Sequence, residues 1–375
     1  MHRMSLILTI NPGSTSTKIA VFAAEEELFE RTVEHPHDAF SGLAGVYGQL
    51  EARRHAVQTM LSRAGYADAR FDIVVGRGGL LAPMHGGAWR VNQTMLDILE
   101  SAAHGEHPCN LGAPLALAFA RSHGAHRNVQ AIIVDPVVTD ELDPVARIGG
   151  LPELPRRSVF HALSQRAAAR RAAAQLGIRY EDGRFLVGHF GGGISVGAHR
   201  HGRVVDVNNA LEGEGPFSPE RTGGLPVMPA LELVRRGVYS FERMRSIVQR
   251  EGGMWAHLGT NDLREVQRRM DAGDTAAAQI FDALAYNSAK ALCALLPALT
   301  GAGQDVPSAP PVDAVVLTGG MARSGRFMQA VSDRLRYLGP VIVLPRLEEM
   351  QALAMGGLRV LRGEETPAEY GGGMS

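Results

Sequence analysis

Two stretches of this chain share one design, and that design narrows the folds open to it. Leu6 to Ile10 and Ile19 to Phe22 are short apolar runs of β type separated by Asn11-Pro12-Gly13-Ser14-Thr15-Ser16-Thr17-Lys18. Pro-Gly followed by Ser and Thr is turn chemistry, so the stretch reads as a hairpin. Phe185 to Val196 repeats it with His189-Phe190-Gly191-Gly192-Gly193 at the turn, and a third run follows each hairpin, Glu26 to Val33 and Arg203 to Val207. Two halves that both open strand, turn, strand suggest a duplication that would set two backbone-rich turns on one cleft. The first turn also presents an amide, four hydroxyls and a lysine, which are the donors, metal-seeking oxygens and point charge that a triphosphate and its metal require. The competing reading is an ordinary Ser/Thr-rich turn.

At 375 residues the chain exceeds what one hydrophobic core serves, so two domains are expected. A formal charge of -1, from 38 basic and 39 acidic residues, gives no overall field for nucleic acid or an anionic membrane, and a small-molecule partner is expected instead. Cys109 and Cys293 are the only cysteines, which suggests neither a disulfide framework nor a cysteine zinc site. The N-terminal apolar run is too short for a signal-peptide core, and no run is long enough to cross a bilayer. The expectation is a soluble cytoplasmic protein. Fourteen histidines are present without HExxH or paired Cys/His spacing, and surface positions are expected for most of them.

Taken in order, Phe40 to Gly65 has apolar residues at helical spacing, as one helix or a broken pair. Phe71 to Val75 is a strand that delivers Arg77 on Gly76-Arg77-Gly78-Gly79; such positions face clefts in α/β folds, although a surface arginine has the same local pattern. Asn92 or Thr94 caps a helix through Ala103, and Ala113 to Ser122 forms another. Val129 to Val134 is a buried strand ending at Asp135, which is either an N-cap or an active-site carboxylate. Around Gly149 to Pro155 the first domain ends. Ser158 then caps a helix over Val159 to Leu176 with His161 in its first turn, where the helix dipole favours the neutral imidazole; packing at a helix start is the alternative role.

The long loop Leu211 to Pro226 carries Arg221 at its centre, and so long a structureless stretch inside a domain is usually functional. Helices are expected over Leu231 to Gln249, Asn261 to Met270 and Asp274 to Leu299, with a surface loop from Gln304 to Pro311. Val312 to Leu317 then delivers Thr318-Gly319-Gly320 into a helix from Ser324 to Tyr337, a junction where a nucleotide can approach the backbone closely. Val341 to Leu344 is the last strand and Glu348 to Leu361 the last helix. The domains are therefore 1–155 joined by the helix at about 348–363, 156–347 binding the nucleotide, and a flexible tail, 364–375.

No run fits the Walker pattern GxxxxGK[ST] or the dinucleotide pattern GxGxxG. The strand-turn-strand openings and the late strand-Gly-Gly-helix resemble the actin-like ATPase superfamily. Asn11 to Lys18, Val75-Gly76-Arg77-Gly78-Gly79-Leu80-Leu81, Asn110-Leu111-Gly112-Ala113-Pro114 and the Glu212 to Pro226 loop further resemble the butyrate kinase, or short-chain fatty acid, branch of the acetate kinase family. This resemblance runs from Leu6 to about Gly363. It implies an α/β fold of two duplicated actin-like (ribonuclease H-like) domains with a nucleotide cleft between them, ATP/ADP and Mg2+ as cofactors, and a homodimer or larger homo-oligomer.

Residue by residue, the resemblance implies that Arg77 binds the substrate carboxylate and that Asp135 is the family's strand-end aspartate. His161 and Arg221 steady the phosphoryl group in flight. His189 with Gly191, Gly192 and Gly193 forms a phosphate turn, to which the chemistry of the first turn adds Ser14, Ser16 and Lys18 as phosphate-binding candidates. Gly319 and Gly320 lie beneath the adenosine, and Asn11 and Glu349 are magnesium-associated, with Glu348 the neighbouring alternative. Where the acetate kinase pattern has a valine lining the methyl pocket, this chain has Gly79, implying room for a longer acid, with Phe160 as a further wall; the other reading of Gly79 is a turn glycine.

A carboxylate with a pKa of about 4 to 5 is already ionised at neutral pH, so its phosphorylation needs charge neutralisation and no base. Asp135 is accordingly expected to organise the metal or orient an arginine. The implied reaction is reversible transfer of the ATP γ-phosphoryl group to butyrate or a similar acid. Acetate or propionate phosphorylation, and an ATP-driven clamp of the chaperone type on the same fold, are the alternatives.

Overall fold

The computed structural model describes residues 5–36, 39–300, 311–345 and 348–372. The chain forms two compact units, Met1–Thr139 with Glu348–Ser375, and Asp140–Leu347. The change of unit at Thr139 precedes the Pro/Gly-rich stretch at which the sequence places it. Its cause is local: Leu142 is buried with Phe160, Ala162, Val204 and Val207, and the Asp143 amide donates to the Val205 carbonyl.

In chain order the first unit contains strands β1 (Leu6–Pro12), β2 (Ser16–Ala23) and β3 (Glu26–Glu34), helix α1 (Leu50–Arg63), strands β4 (Ile73–Arg77) and β5 (Ala88–Arg90), helices α2 (Gln93–Glu100) and α3 (Gly112–His123), and strand β6 (Gln130–Val134). The second unit begins with α4 (Ala162–Gln175), β7 (Arg184–Phe190), β8 (Ile194–Arg200) and β9 (Arg203–Val207). Helices α5 (Val227–Arg235), α6 (Phe241–Ser246), α7 (Gly253–Leu258), α8 (Leu263–Asp271), α9 (Thr275–Ala294) and α10 (Leu296–Thr300) follow, then β10 (Ala314–Thr318), α11 (Gly325–Asp333) and β11 (Val341–Leu344). The chain returns to the first unit as α12 (Glu349–Leu361) and β12 (Ala368–Glu369).

The duplication expected from the two hairpins is visible in the topology. The first sheet has the order β12-β5-β6-β4-β1-β2-β3 and the second β11-β10-β7-β8-β9. Each contains an antiparallel meander of three strands whose first member continues into two parallel strands. Both faces of the central strands are covered, so these strands read as nearly continuous apolar runs. In the first sheet Leu8, Ile10, Val74 and Ile133 pack with Val57 and Leu61 of α1 and Leu115 and Phe119 of α3. The alternate residues, Ile7, Ile73 and Val75, meet α12 where Gly357 lets the helix lie close: a Cβ there would stand 2.8 Å from Val75. In the second sheet Phe185, Val187 and Val316 face the alanines of α4, and Leu186, Val315 and Leu317 join Phe281 and Leu284 of α9.

Several helices depart from the sequence reading. The Phe40 to Gly65 stretch yields only a short 3-10 turn, Tyr47–Gln49, and α1. Leu231 to Gln249 is not one helix, because Gly237 adopts φ +69 and separates α5 from α6, which continues into a π-helical turn. Ser158 does not cap α4: the Val159 carbonyl accepts from the Ala210 amide, which ties this segment to the start of the 211–226 loop, and His161 takes the N-cap position. Of the Gln304 to Pro311 loop, residues 304–310 lie outside the described residues. Residues 364–372 are not a flexible tail. There β12 pairs in parallel with β5, and Tyr370, 4% exposed, accepts from the Ala82 amide through its hydroxyl.

Beneath the hydroxyl-rich turn lies Arg53 of α1, fully buried and without a carboxylate partner among the described residues. Its Nη1 donates to the Ser16 carbonyl at 3.0 Å and to Thr17 Oγ1 at 2.9 Å, and Gln49 Oε1 receives two more of its hydrogens. Burial lowers its pKa to about 10. Thr17 Oγ1 lies 2.8 Å from His35 Nε2, and burial together with the Arg53 charge pushes His35 down to about 4, so its neutral ring accepts the Thr17 hydrogen.

Two outcomes are expected. Tyr370→Ala removes a buried ring and a hydrogen bond, and should lower stability by about 3 kcal/mol, read as a shifted urea midpoint; an unshifted midpoint would show that the C-terminal strand contributes nothing. For His35 the unfolded state takes up its proton first on acidification, so the native state loses stability as pH falls from about 6.5 towards 4. The melting temperature of wild type minus that of His35→Gln should therefore decline across that window, and a pH-independent difference would refute the coupling.

Candidate functional site

The alternation that buries Ile7, Ile73 and Val75 against α12 carries two polar side chains to the same face at the strand ends, Asn11 on β1 and Arg77 on β4. The first residue of α12, Glu349, receives both: Asn11 Nδ2 donates to Glu349 Oε2 at 2.8 Å, and Arg77 Nη1 stands 3.1 Å from Oε1. A carboxylate in the first turn of a helix is favourably placed by the dipole. Glu348, the alternative for this role, is the residue before the helix. Lys18 lies opposite Asn11 in the strand register and is ion-paired to Glu30 at 3.3 Å. Ser14 is exposed and Ser16 half-buried at the turn, with the Gly13 amide bonded to the Ser16 carbonyl at 2.7 Å.

Asp135 directly follows β6, whose Val134 pairs with Arg77. No helix follows it, so the N-cap reading is excluded. It is buried with φ +42, a left-handed conformation that aspartate tolerates better than most residues. Its Oδ1 accepts from the Gly87 amide at 2.7 Å, and its own amide donates back to the Gly87 carbonyl.

The space expected beside Gly79 is not there. Gly79 is buried, and a Cβ on it would lie 2.7 Å from the Asn110 Cα and 2.8 Å from Leu99. Its φ is not positive, so the restriction is the close approach of the Asn110 backbone, whose side chain also accepts from the Leu80 amide at 2.8 Å. Phe160 is packed at 7% exposure into the apolar cluster of the second unit.

Among the described residues no three His, Cys, Asp or Glu side chains are grouped to hold a metal. Magnesium commonly takes only one or two protein oxygens and completes its shell with water and phosphate. The Asn11 amide and Glu349 carboxylate are hard-oxygen groups of that type and fit it.

In the second unit, His161 at the N-cap of α4 stacks on His189, with ring centroids 3.9 Å apart and planes at 13°. His189 shares its strand face with Phe185 and Val187, the face that α4 covers. Beyond it the glycine turn closes on itself, the Gly191 amide bonding to the Gly193 carbonyl at 3.1 Å. Gly192 accepts from Ser218 Oγ at 2.6 Å, which docks the 211–226 loop on the turn. Arg221 then passes directly over Gly193, where a Cβ would meet its Nη1 at 2.0 Å. Its Nη1 donates to the Ala210 carbonyl at 2.8 Å, while its buried Nε has no acceptor among the described residues. Burial lowers the Arg221 pKa and the Glu220 charge partly restores it. A desolvated guanidinium with a spare donor at a glycine turn suits an anion.

Gly319 has φ +95, and a Cβ there would stand 2.4 Å from the Phe190 carbonyl, so the β10 turn and the end of β7 touch through backbone alone. Gly320 next to it faces open space. A pocket of about 610 Å³ extends from Gly191 and Gly192 to Gly320 and Ser324. It is also lined by Glu220, Asn261 and Gln267, none of which the sequence reading singled out as a site residue. Asn261 donates to Glu220 Oε1 at 2.8 Å, and Gln267 accepts from Ser324 Oγ at 2.9 Å. In the sequence, Asn261-Asp262 is legible only as a helix start.

The Acetokinase family model matches residues 153–349. A curated relative named "Probable butyrate kinase", from Maridesulfovibrio salexigens, is 51% identical over 366 residues, covering 98% of this chain and 99% of the relative. Among solved structures, acetate kinase from Porphyromonas gingivalis matches with a TM-score of 0.73 at 17% identity, over 95% of this chain and 100% of that one. A propionate kinase from Francisella tularensis matches with a TM-score of 0.67 at 16% identity, over 94% and 99%. The likeness extends the fold reading to the actin-like class, in agreement with the repeated strand order. With matches of that extent, this chain belongs to the acetokinase family.

Proposed function

We propose that the protein transfers the γ-phosphoryl group of ATP to the carboxylate of butyrate or a similar short-chain fatty acid, reversibly and with magnesium. The observation that carries this reading is a pair of arginines on strand-end and glycine-turn scaffolds: Arg77, held at 3.1 Å from the half-exposed Glu349 carboxylate, and Arg221, whose buried Nε has no acceptor among the described residues. Two anions must be brought together in the reaction, and each arginine offers a donor to one of them. The relative named as a probable butyrate kinase supports the acid class. Clamp ATPases that hand phosphate only to water have no need of the first arginine.

Arg77 binds the acid's carboxylate, already ionised at neutral pH, so no side chain has to remove a proton. The nucleotide lies in the pocket of the second unit, its adenosine above Gly319 and Gly320 and its phosphates at Gly191 to Gly193. Arg221 and His161 donate to the phosphoryl oxygens, whose charge is spread in a loose transition state. Ser14, Ser16 and Lys18 supply further donors at the first turn. Asn11 and Glu349 would hold magnesium, which when bound neutralises phosphate charge. Asp135 fixes the loop at Gly87 beside Arg77 and serves as an orienting group. The same groups serve acyl phosphate and ADP in reverse. Among the described residues no helix is long and apolar enough to cross a membrane; the use of ATP as substrate supports a cytoplasmic enzyme. The exposed apolar side chains Val227, Met228 and Phe241, at 68% to 73% exposure or thereabouts, support self-association as a homodimer or larger assembly.

With ATP, magnesium and butyrate, hydroxylamine should trap butyryl phosphate as the hydroxamate; ATP consumption independent of any acid would sink the kinase reading. In the same assay Arg77→Ala should raise KM for the acid by roughly one to two decades, and Arg221→Ala should lower kcat by a similar factor. Gly79→Val should lower thermal stability and activity towards acetate, propionate, butyrate and valerate together, because the added side chain overlaps Asn110. A folded variant whose preference moved to acetate would restore the pocket role of Gly79.

A further inference from the structure

A line of hydrogen-bonded side chains runs inward from His161 through Ser195, Gln165 and His199 to Tyr180, and their bonding capacities fix where each hydrogen lies. Gln165 Nε2 stands 3.1 Å from the Ser195 carbonyl oxygen, an atom that can only accept, so that end of the amide is the NH2 group. Its second hydrogen points to Ser195 Oγ at 2.8 Å. Gln165 Oε1 therefore faces His199 Nε2 at 3.1 Å, and that nitrogen must carry a hydrogen. His199 is fully buried, and burial with the neighbouring Arg166 and Arg170 charges holds its pKa well below the usual value. It is neutral, and its Nδ1 lone pair accepts from the Tyr180 hydroxyl at 2.9 Å.

Ser195 Oγ already accepts from Gln165 and, at 3.4 Å, from the His161 amide. Its own hydrogen is left for His161 Nδ1 at 2.9 Å. We propose that this chain of hydrogen bonds holds neutral His161 as the tautomer with its hydrogen on Nε2, which makes Ser195, Gln165 and His199 positioning residues for a donor to the phosphoryl group. The proposal rests on the kinase reading for the role of His161, though not for its tautomer. Backbone composition makes room for the chain: a Cβ on Gly197 would stand 2.5 Å from Gln165 Oε1. Ser195, Gly197 and His199 share one face of β8, the same face as their register partners His189, Val187 and Phe185, so strand alternation and a single turn of α4 assemble the line from His161 to His199, and the short turn at Tyr180 closes it.

Ring-nitrogen NMR shifts of the full-length protein at neutral pH, with signals identified by their loss in His161→Gln and His199→Gln, test it directly. The expected result is protonated Nε2 and unprotonated Nδ1 on both rings. Ser195→Ala removes only the hydroxyl, and should turn His161 into a tautomer mixture and lower kcat roughly tenfold with KM for ATP and acid unchanged. Gln165→Met breaks the line one link further in and should do the same, so the result does not depend on one variant folding. A protonated Nδ1 on wild-type His161, or an unaltered single tautomer in folded Ser195→Ala, would overturn the proposal. Wild type that forms no hydroxamate but shows the Nε2 hydrogen would refute the kinase reading and leave the tautomer assignment standing; hydroxamate formation with an Nδ1 hydrogen would do the reverse.

Discussion

The central strands of both sheets are covered on both faces, and this constraint decides where chemistry can sit. Ile7, Leu8 and Ile10 of β1, Ile73, Val74 and Val75 of β4, and Val315 to Leu317 of β10 are all fully buried. A charge anywhere along these strands would have to be desolvated without a partner, at a cost of several kcal/mol. The positions left for charged and conformationally special residues are those at or just past the last ladder bond. Asn11, Arg77, Asp135, His189 and Gly319 occupy such positions, and the duplicated topology provides them in both units.

Two of the buried cations are held by different means. Glu141 and Arg166 form a buried ion pair at 2.8 Å, with Glu141 also accepting from the Val204 amide. Arg53 has no such anion. Its hydrogens go to the carbonyls and hydroxyl of the turn above it, so a cation that would otherwise be costly to bury fixes the backbone that presents Ser14 and Ser16. The geometry of the hydroxyl turn is thus a property of α1 as much as of the hairpin.

Glycine has two distinct uses here. At Gly319 the backbone angle itself requires it. At Gly79, Gly193, Gly197 and Gly357 the angle is ordinary and the requirement is proximity, to Asn110, Arg221, Gln165 and Val75 respectively. Only the structure separates the two, because a glycine beside a turn has the same local sequence in either case.

The sequence by itself determined the hairpins, the parallel strands and the motifs of the family, since strand periodicity and turn chemistry are properties of neighbouring residues. Val341 to Leu344 and the Asn92 and Asp274 caps were legible for that reason. Arg77 and the glycine turns stood out because unusual residues followed apolar runs, and Arg221 because it is the central charge of a long loop. What it could not give were facts set by partners distant in the chain. The neighbour that fills the space beside Gly79 is Asn110, Ser158 is denied its capping role by a bond between Val159 and Ala210, and residues 368–370 are held by β5 and Ala82. The line from His161 to Tyr180 has no sequence signature, since its members come from a helix, a strand and a short turn. Local pattern records what a segment prefers, and only packing decides which atoms of other segments stand close enough to use it.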